Sequence, residues 1–314
     1  MGKTAFLFPG QGSQFVGMGK TLAEMYPTAR LILETADQAL GFPISQLCAE
    51  GPEEDLKLTE NTQPALLTVS IAAFTVLREN GVRPDYVAGH SLGEYSALVA
   101  AGSLRFTDAL RLVRRRGRYM QEAVPPGEGA MAALLKLPRE RLNEILSQAA
   151  QGEMVTAANL NAPDQVVIAG HTGAVNRAME LAKSAGARRA VLLQVSAPFH
   201  CPLMEPARIR LEPELAATAF DDLDWPLINN WEAREIRTGA DARRGLVEQI
   251  PNTVRWEESI RYLAAQGVER FFEVGPGGVL TGLLRSIDPA LQGIRFGEAA
   301  DVEKLHSSTH RVAN

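Results

Sequence analysis

The chain has 314 residues, 46% hydrophobic and 22% charged, which are globular proportions with length for a sizeable core in one large domain plus a subdomain or in two domains. A formal net charge of −5 makes no electrostatic case for nucleic acid, and no apolar run approaches a membrane span. Only Cys48 and Cys201 are present, neither with metal-ligand spacing, and residues 1–9 lack a signal-peptide layout, so a reduced, cytoplasmic protein without a metal site is expected.

Thr4–Phe8 reads as a buried strand from its continuous apolar run. The glycine-rich turn Pro9-Gly10-Gln11-Gly12-Ser13-Gln14 follows. Its amides suggest a nest for an anion or a reacting oxygen, but it matches neither a P-loop nor G-x-G-x-x-G. On these residues alone an ordinary strand-to-helix connection fits better. Residues 22–40 and 61–80 have helical patterns, the second apolar almost all round, with Pro64 near its start.

The most informative stretch is Tyr86-Val87-Ala88-Gly89-His90-Ser91-Leu92-Gly93-Glu94. It is G-x-S-x-G between a short strand and a helix through Ala101, the context in which a sharp turn lifts a serine oxygen clear of the backbone. The crowded turn has no room for a Cβ at Gly89 or Gly93. Ser91 at a helix N-terminus is a candidate nucleophile, and the Leu92 amide is the natural first donor of an oxyanion hole. The next helix, 107–123, carries Arg111, Arg114, Arg115, Arg116 and Arg118. At 100° per residue these cannot share one face, so at least one is free to reach a cleft.

Pro125-Pro126-Gly127-Glu128-Gly129 marks a composition shift. Strands at 130–135, 155–160, 165–169 and 189–195 and helices at 138–150 and 172–185 then give the order βαββαβ, which is ferredoxin-like. The expected fold is α/β, with a mostly parallel core from residues 1–124 and 198–314 and an inserted small subdomain at 125–197. Beyond it the patterns predict helices at 203–218, 242–250 and 256–266, strands at 227–230 and 270–274, a turn at Gly275-Pro276-Gly277-Gly278 and a helix at 279–285. The tail from about residue 298 is polar and expected to be mobile.

A serine nucleophile needs a partner to take its proton, usually histidine. Of five histidines, His90 is expected to project away from Ser91, His171 to start a helix as a surface residue, and His306 and His310 to lie in the tail. His200, held between Pro198 and Pro202, remains as the base. About a hundred residues follow it, unlike the usual α/β-hydrolase order, and no Asp or Glu stands out as third member. A carbonyl could orient the imidazole instead, because the third group mainly sets tautomer and direction.

In combination, Phe8-Pro9-Gly10-Gln11-Gly12-Ser13-Gln14, Gly89-His90-Ser91-Leu92-Gly93-Glu94, Arg116-Gly117 with Met120-Gln121, Asn159-Leu160-Asn161-Ala162-Pro163, Pro198-Phe199-His200 with Leu203-Met204, Gln249 and Gly275-Pro276-Gly277 resemble the malonyl-CoA:acyl carrier protein transacylases of bacterial fatty-acid synthesis, from Phe6 to about Leu284. The resemblance implies an α/β-hydrolase-like core with a ferredoxin-like small domain and a site in the cleft between them. It implies Ser91 as the acylated residue, His200 as base then acid, and Gln11 and Leu92 amides as the oxyanion hole. It also implies Arg116 on the malonyl carboxylate, the Gln249 carbonyl orienting His200, and Phe199 as a mark of malonyl over methylmalonyl. The implied partners are a coenzyme A thioester and a phosphopantetheinylated acyl carrier protein; the chemistry needs no cofactor, no nucleic-acid or membrane partner is expected, and the chain is expected to be a monomer. Three other readings compete: a serine hydrolase, a transacylase serving malonate decarboxylation or polyketide synthesis, and a non-catalytic carrier-protein-binding module.

Overall fold

The computed structural model describes residues 2–309, with side chains described through Leu305. Ten strands occur there: β1 (Lys3–Phe8), β2 (Tyr86–Gly89), β3 (Gly129–Leu135), β4 (Val155–Ala162), β5 (Gln165–His171), β6 (Arg189–Leu192), β7 (Leu227–Ile228), β8 (Glu235–Ile236), β9 (Val268–Val274) and β10 (Gln292–Phe296). β1 is buried from Thr4 to Phe8 because helices cover both faces of its sheet. Its side chains alternate: Phe6 and Phe8 pack under the helices Thr59–Glu79 and Leu92–Ala100, whereas Ala5 and Leu7 face a second cluster around Trp256, Ile260 and Phe271.

The large sheet has the order β10-β9-β1-β2-β7-β8 and is parallel except for the β7–β8 pair. β1 lies between β9 and β2, so the loops leaving the C-terminal ends of β1 and β2 emerge side by side. That is where ligands bind in open parallel sheets. The second sheet is antiparallel, order β4-β5-β3-β6, with helices Leu142–Ala150 and Thr172–Ser184 packed against it through a core of its own. The chain therefore has the expected α/β class with a ferredoxin-like βαββαβ unit. A bridge between Asn159 and Val254 joins β4 to the connection between the helices Gly239–Gln249 and Trp256–Ala265.

Several expectations are corrected. The helix expected at 22–40 is two, Lys20–Met25 and Pro27–Leu40, because Tyr26 is extended before Pro27. The buried helix begins at Thr59, which places Pro64 inside it. The last subdomain strand ends at Leu192, not Val195. Helices Ile44–Glu50 and Glu53–Lys57 and strands β8 and β10 were not anticipated. The tail is helical over Ala299–Thr309, where Asp301 accepts from the Gly297 and Glu298 amides and Val302 is buried. His310 and the side chain of His306 lie outside the described residues.

Candidate active site

The elbow is built by close approach. A Cβ on Gly89 would stand 1.9 Å from the Gly93 carbonyl carbon, and one on Gly93 would stand 2.0 Å from the Phe8 carbonyl oxygen. With side chains excluded there, the chain turns at Ser91 with φ 52° and ψ −108°, sparsely populated for a residue with a Cβ. His200 also has positive φ, 57°. The two strained residues meet: Ser91 Oγ lies 2.7 Å from His200 Nε2.

The proton positions follow from the partners. His200 Nδ1 is 2.9 Å from the Gln249 backbone carbonyl, which can only accept. Nδ1 therefore carries hydrogen, and in the neutral ring Nε2 is left to accept from the Ser91 hydroxyl. His200 is 4% exposed, and its pKa is pushed down to about 3, first by burial and then by the Arg116 charge. The ring is thus neutral near pH 7, as a base must be.

The arginine run sorts itself by direction. Arg111 pairs with Asp108, Arg115 with Glu214 and Arg118 with Glu60. Arg114 stacks over Phe42 and donates to the Leu40 carbonyl. Arg116 alone of the five turns fully inward, at 1% exposure. Its Nη1 donates to Gln63 Oε1 at 2.8 Å, and its Nη2 to Gln249 Oε1 at 2.8 Å and to Ser91 Oγ at 3.1 Å. Its Nε–H is buried with no partner among the described residues, a donor an incoming acceptor could take.

The turn after β1 lies against the elbow, since a Cβ on Gly10 would meet the His90 carbonyl oxygen at 2.3 Å. Gln11 and Leu92 border one cavity of about 210 Å³ with Ser91, Arg116, Phe199 and His200, and the antiparallel sheet closes it with Met131, Asn159 and Asn161. A larger cavity, about 1360 Å³, lies along β9, β10 and the last helix and shares only Val279 with it. The chemically competent groups line the smaller one. Among the described residues no cluster of three or more His, Cys, Asp or Glu could hold a metal ion.

His90 does point elsewhere: its Nε2 meets Asn161 Oδ1 at 2.8 Å and its ring packs edge-on against the buried Trp256. Asn161 lies on β4, so that hydrogen bond ties the small sheet to the elbow, whereas Trp256 heads the helix Trp256–Ala265 of the larger unit. His171 does start a helix, as the last residue of β5 and the N-cap of Thr172–Ser184, and its Nδ1 accepts from the Met154 amide. Sequence reasoning missed Gln63, Asn230 and the role of Glu94. Glu94 is fully buried under the elbow, and burial pushes its pKa up to about 7 against the hydrogen bonds from Gln249 and Asn230 and the charge of Arg116.

The chain is similar to known proteins over nearly its whole length. The acyl transferase domain family matches residues 5–294. A protein from Bacillus subtilis (strain 168) named malonyl CoA-acyl carrier protein transacylase is 50% identical over 304 residues, 96% of each chain. A crystal structure of an acyl carrier protein S-malonyltransferase from Vibrio cholerae superposes with TM-score 0.94 at 45% identity, covering 96% of this chain and 99% of the other. A malonyl-transacylase in complex with a type II polyketide synthase acyl carrier protein gives TM-score 0.95 at 43% identity, covering 98% and 99%.

Proposed function

The chain belongs to the acyl transferase domain family, and from that membership and the site we propose that it moves the malonyl group of malonyl-CoA to the phosphopantetheine thiol of holo acyl carrier protein through malonyl-Ser91. The observation that carries the reading is one cavity holding a serine on a neutral histidine and a buried guanidinium 3.1 Å from the serine oxygen. A neutral acyl group leaves that cation unmatched, whereas an acyl group ending in a carboxylate pairs with it.

The steps follow from the donors. The malonyl carboxylate takes Arg116, including its unpartnered Nε–H. His200 Nε2 removes the Ser91 proton as Oγ attacks the thioester carbonyl. The Gln11 and Leu92 amides hold the tetrahedral oxyanion, each worth about 3 kcal/mol. The C–S bond breaks, His200 returns the proton to the coenzyme A sulfur, and the ester remains on Ser91. The carrier thiol then gives its proton to His200, attacks the ester, and leaves as malonyl thioester with Ser91 re-protonated. Two half-reactions through one covalent intermediate predict ping-pong kinetics.

The Gln249 carbonyl holds the His200 tautomer throughout. Phe199, 7% exposed beside His200, bounds the cavity and limits substituents on the acyl group. The antiparallel unit acts as an inserted subdomain at 125–197, closing the cavity over a core of 1–124 and 198–314. The scheme uses no cofactor. No helix among the described residues is long and apolar enough to cross a membrane, and both cysteines are buried and free; that the chain acts as a monomer in the cytoplasm is part of the proposal. In the transfer assay, Ser91→Ala should form no malonyl-carrier product. Transfer at an undiminished rate would overturn the reading.

A further inference from the structure

Ser91 holds a backbone conformation that a residue with a Cβ keeps only when its surroundings impose it. Asn230, fully buried just after β7, makes the contacts that impose it. Its Nδ2 donates to the Gly89 carbonyl at 2.7 Å, and its Oδ1 accepts from the Ser91 amide at 2.7 Å. One carboxamide thus ties the residue before His90 to the residue after it and closes the turn from outside. Its orientation is dictated, because a carbonyl can only accept and an amide N–H can only donate.

We propose that Asn230 is a positioning residue for acyl transfer, acting through Ser91. It rests on Ser91 being the acylated residue. Asn230 does not border the cavity, so it does not touch the acyl group. It holds the Ser91 hydroxyl on His200 and occupies the Ser91 amide, which leaves the Leu92 and Gln11 amides to receive the oxyanion.

The same residue couples the elbow to the rest of the site. The Asn230 backbone N–H donates to Glu94 Oε2 at 3.0 Å, and that oxygen also accepts from Gln249 Nε2 at 2.8 Å. With its Nε2 committed to Glu94 and to the Ser91 carbonyl, Gln249 must turn Oε1 toward Arg116. Its backbone carbonyl meanwhile holds His200. Nucleophile, base and carboxylate-binding arginine are therefore positioned through one buried network, in which the Asn230 side chain bonds the elbow at Gly89 and at the Ser91 amide and Gln249 bonds it at the Ser91 carbonyl.

The test uses the full chain and rapid-quench acylation by malonyl-CoA, read by intact-protein mass, with thermal melting alongside. Asn230→Ala should lower the acylation rate constant about 10–100-fold, because small misplacements of a nucleophile carry penalties of that order, while half-saturation by malonyl-CoA moves less than about two-fold. Asn230→Asp keeps the acceptor for Ser91 but sets a second oxygen against the Gly89 carbonyl. Protonated, that oxygen donates, so the Asn230→Asp rate relative to wild type should rise as pH falls from about 8 to about 5.5. A merely structural role predicts lower melting temperatures with no pH-dependent rescue. A folded Asn230→Ala that acylates within about two-fold of wild type overturns the proposal, as does an Asn230→Asp ratio flat with pH, which carries the test if the alanine variant does not fold. Wild type that accepts no malonyl group overturns the functional reading, and this inference with it.

Discussion

Arg116→Ala should remove the preference for malonyl over acetyl while leaving the serine chemistry running. A carboxylate on this guanidinium gains two charge-assisted hydrogen bonds at about 1.5–3 kcal/mol each, hence about 3–6 kcal/mol for the pair. At 1.36 kcal/mol per tenfold, kcat/KM for malonyl-CoA should fall by about 10²–10⁴. Acetyl-CoA has no carboxylate to lose. It forfeits only the Arg116–Ser91 contact, at about tenfold or less. The base survives the change. Arg116 is the second cause, after burial, of the low His200 pKa, so its removal lets that pKa rise while burial still holds it below its ordinary 6.5. His200 stays neutral at pH 7–8. The assay is kcat/KM for malonyl-CoA and acetyl-CoA with holo acyl carrier protein, for wild type and variant. If both fall by one factor and the ratio between substrates is unchanged, the carboxylate is not read by Arg116.

Other expectations concern the supports of the site. Glu94 has its folded pKa raised from 4.5 to about 7, so the folded state binds a proton that the unfolded chain has released. Stability from this group is complete below about pH 4.5 and is lost as pH rises through about 7, by at most about 3 kcal/mol. Glu94→Gln keeps an acceptor for Asn230 and Gln249 and should flatten that loss in melting curves from pH 5 to 8. Parallel curves for the two proteins would contradict it. His200, lowered from 6.5, acts oppositely: the stability it contributes is present above 6.5 and lost as pH falls toward about 3, so wild-type melting should also drop on the acid side. Neutral His200→Gln should lose that acid limb, and an unchanged limb would assign it to other groups. Gly10→Ala places a Cβ 2.3 Å from the His90 oxygen and must push the Gln11 loop off the elbow. Loss of one oxyanion donor predicts a fall in kcat of about 10²–10³, and a wild-type kcat would remove the Gln11 amide from its role.

The elbow was legible because its geometry constrains composition: a Cβ at Gly89 or Gly93 has no room, so the spacing itself reports the turn. The βαββαβ unit was legible from strand and helix periods, and its sheet order follows that topology. Arg116 was not separable from Arg114 and Arg115 by periodicity. Which of them turns inward is decided by Gln63 and Gln249, contributed by distant elements. The group orienting His200 is a backbone carbonyl, which every residue has and no side chain announces. Asn230 and Glu94 stand 136 residues apart and meet only when β7 docks beside β2. The C-terminal helix was hidden because its polar composition masks the few buried positions, Val302 among them, that hold it to the body.

The most direct test of the central claim is intact-protein mass spectrometry of the wild-type chain after brief mixing with malonyl-CoA, repeated after adding holo acyl carrier protein. The account predicts one malonyl adduct, mapped to Ser91, that leaves with the carrier as malonyl-carrier. An adduct that decays to free malonate at the same rate with and without carrier, or no adduct on Ser91, would contradict it.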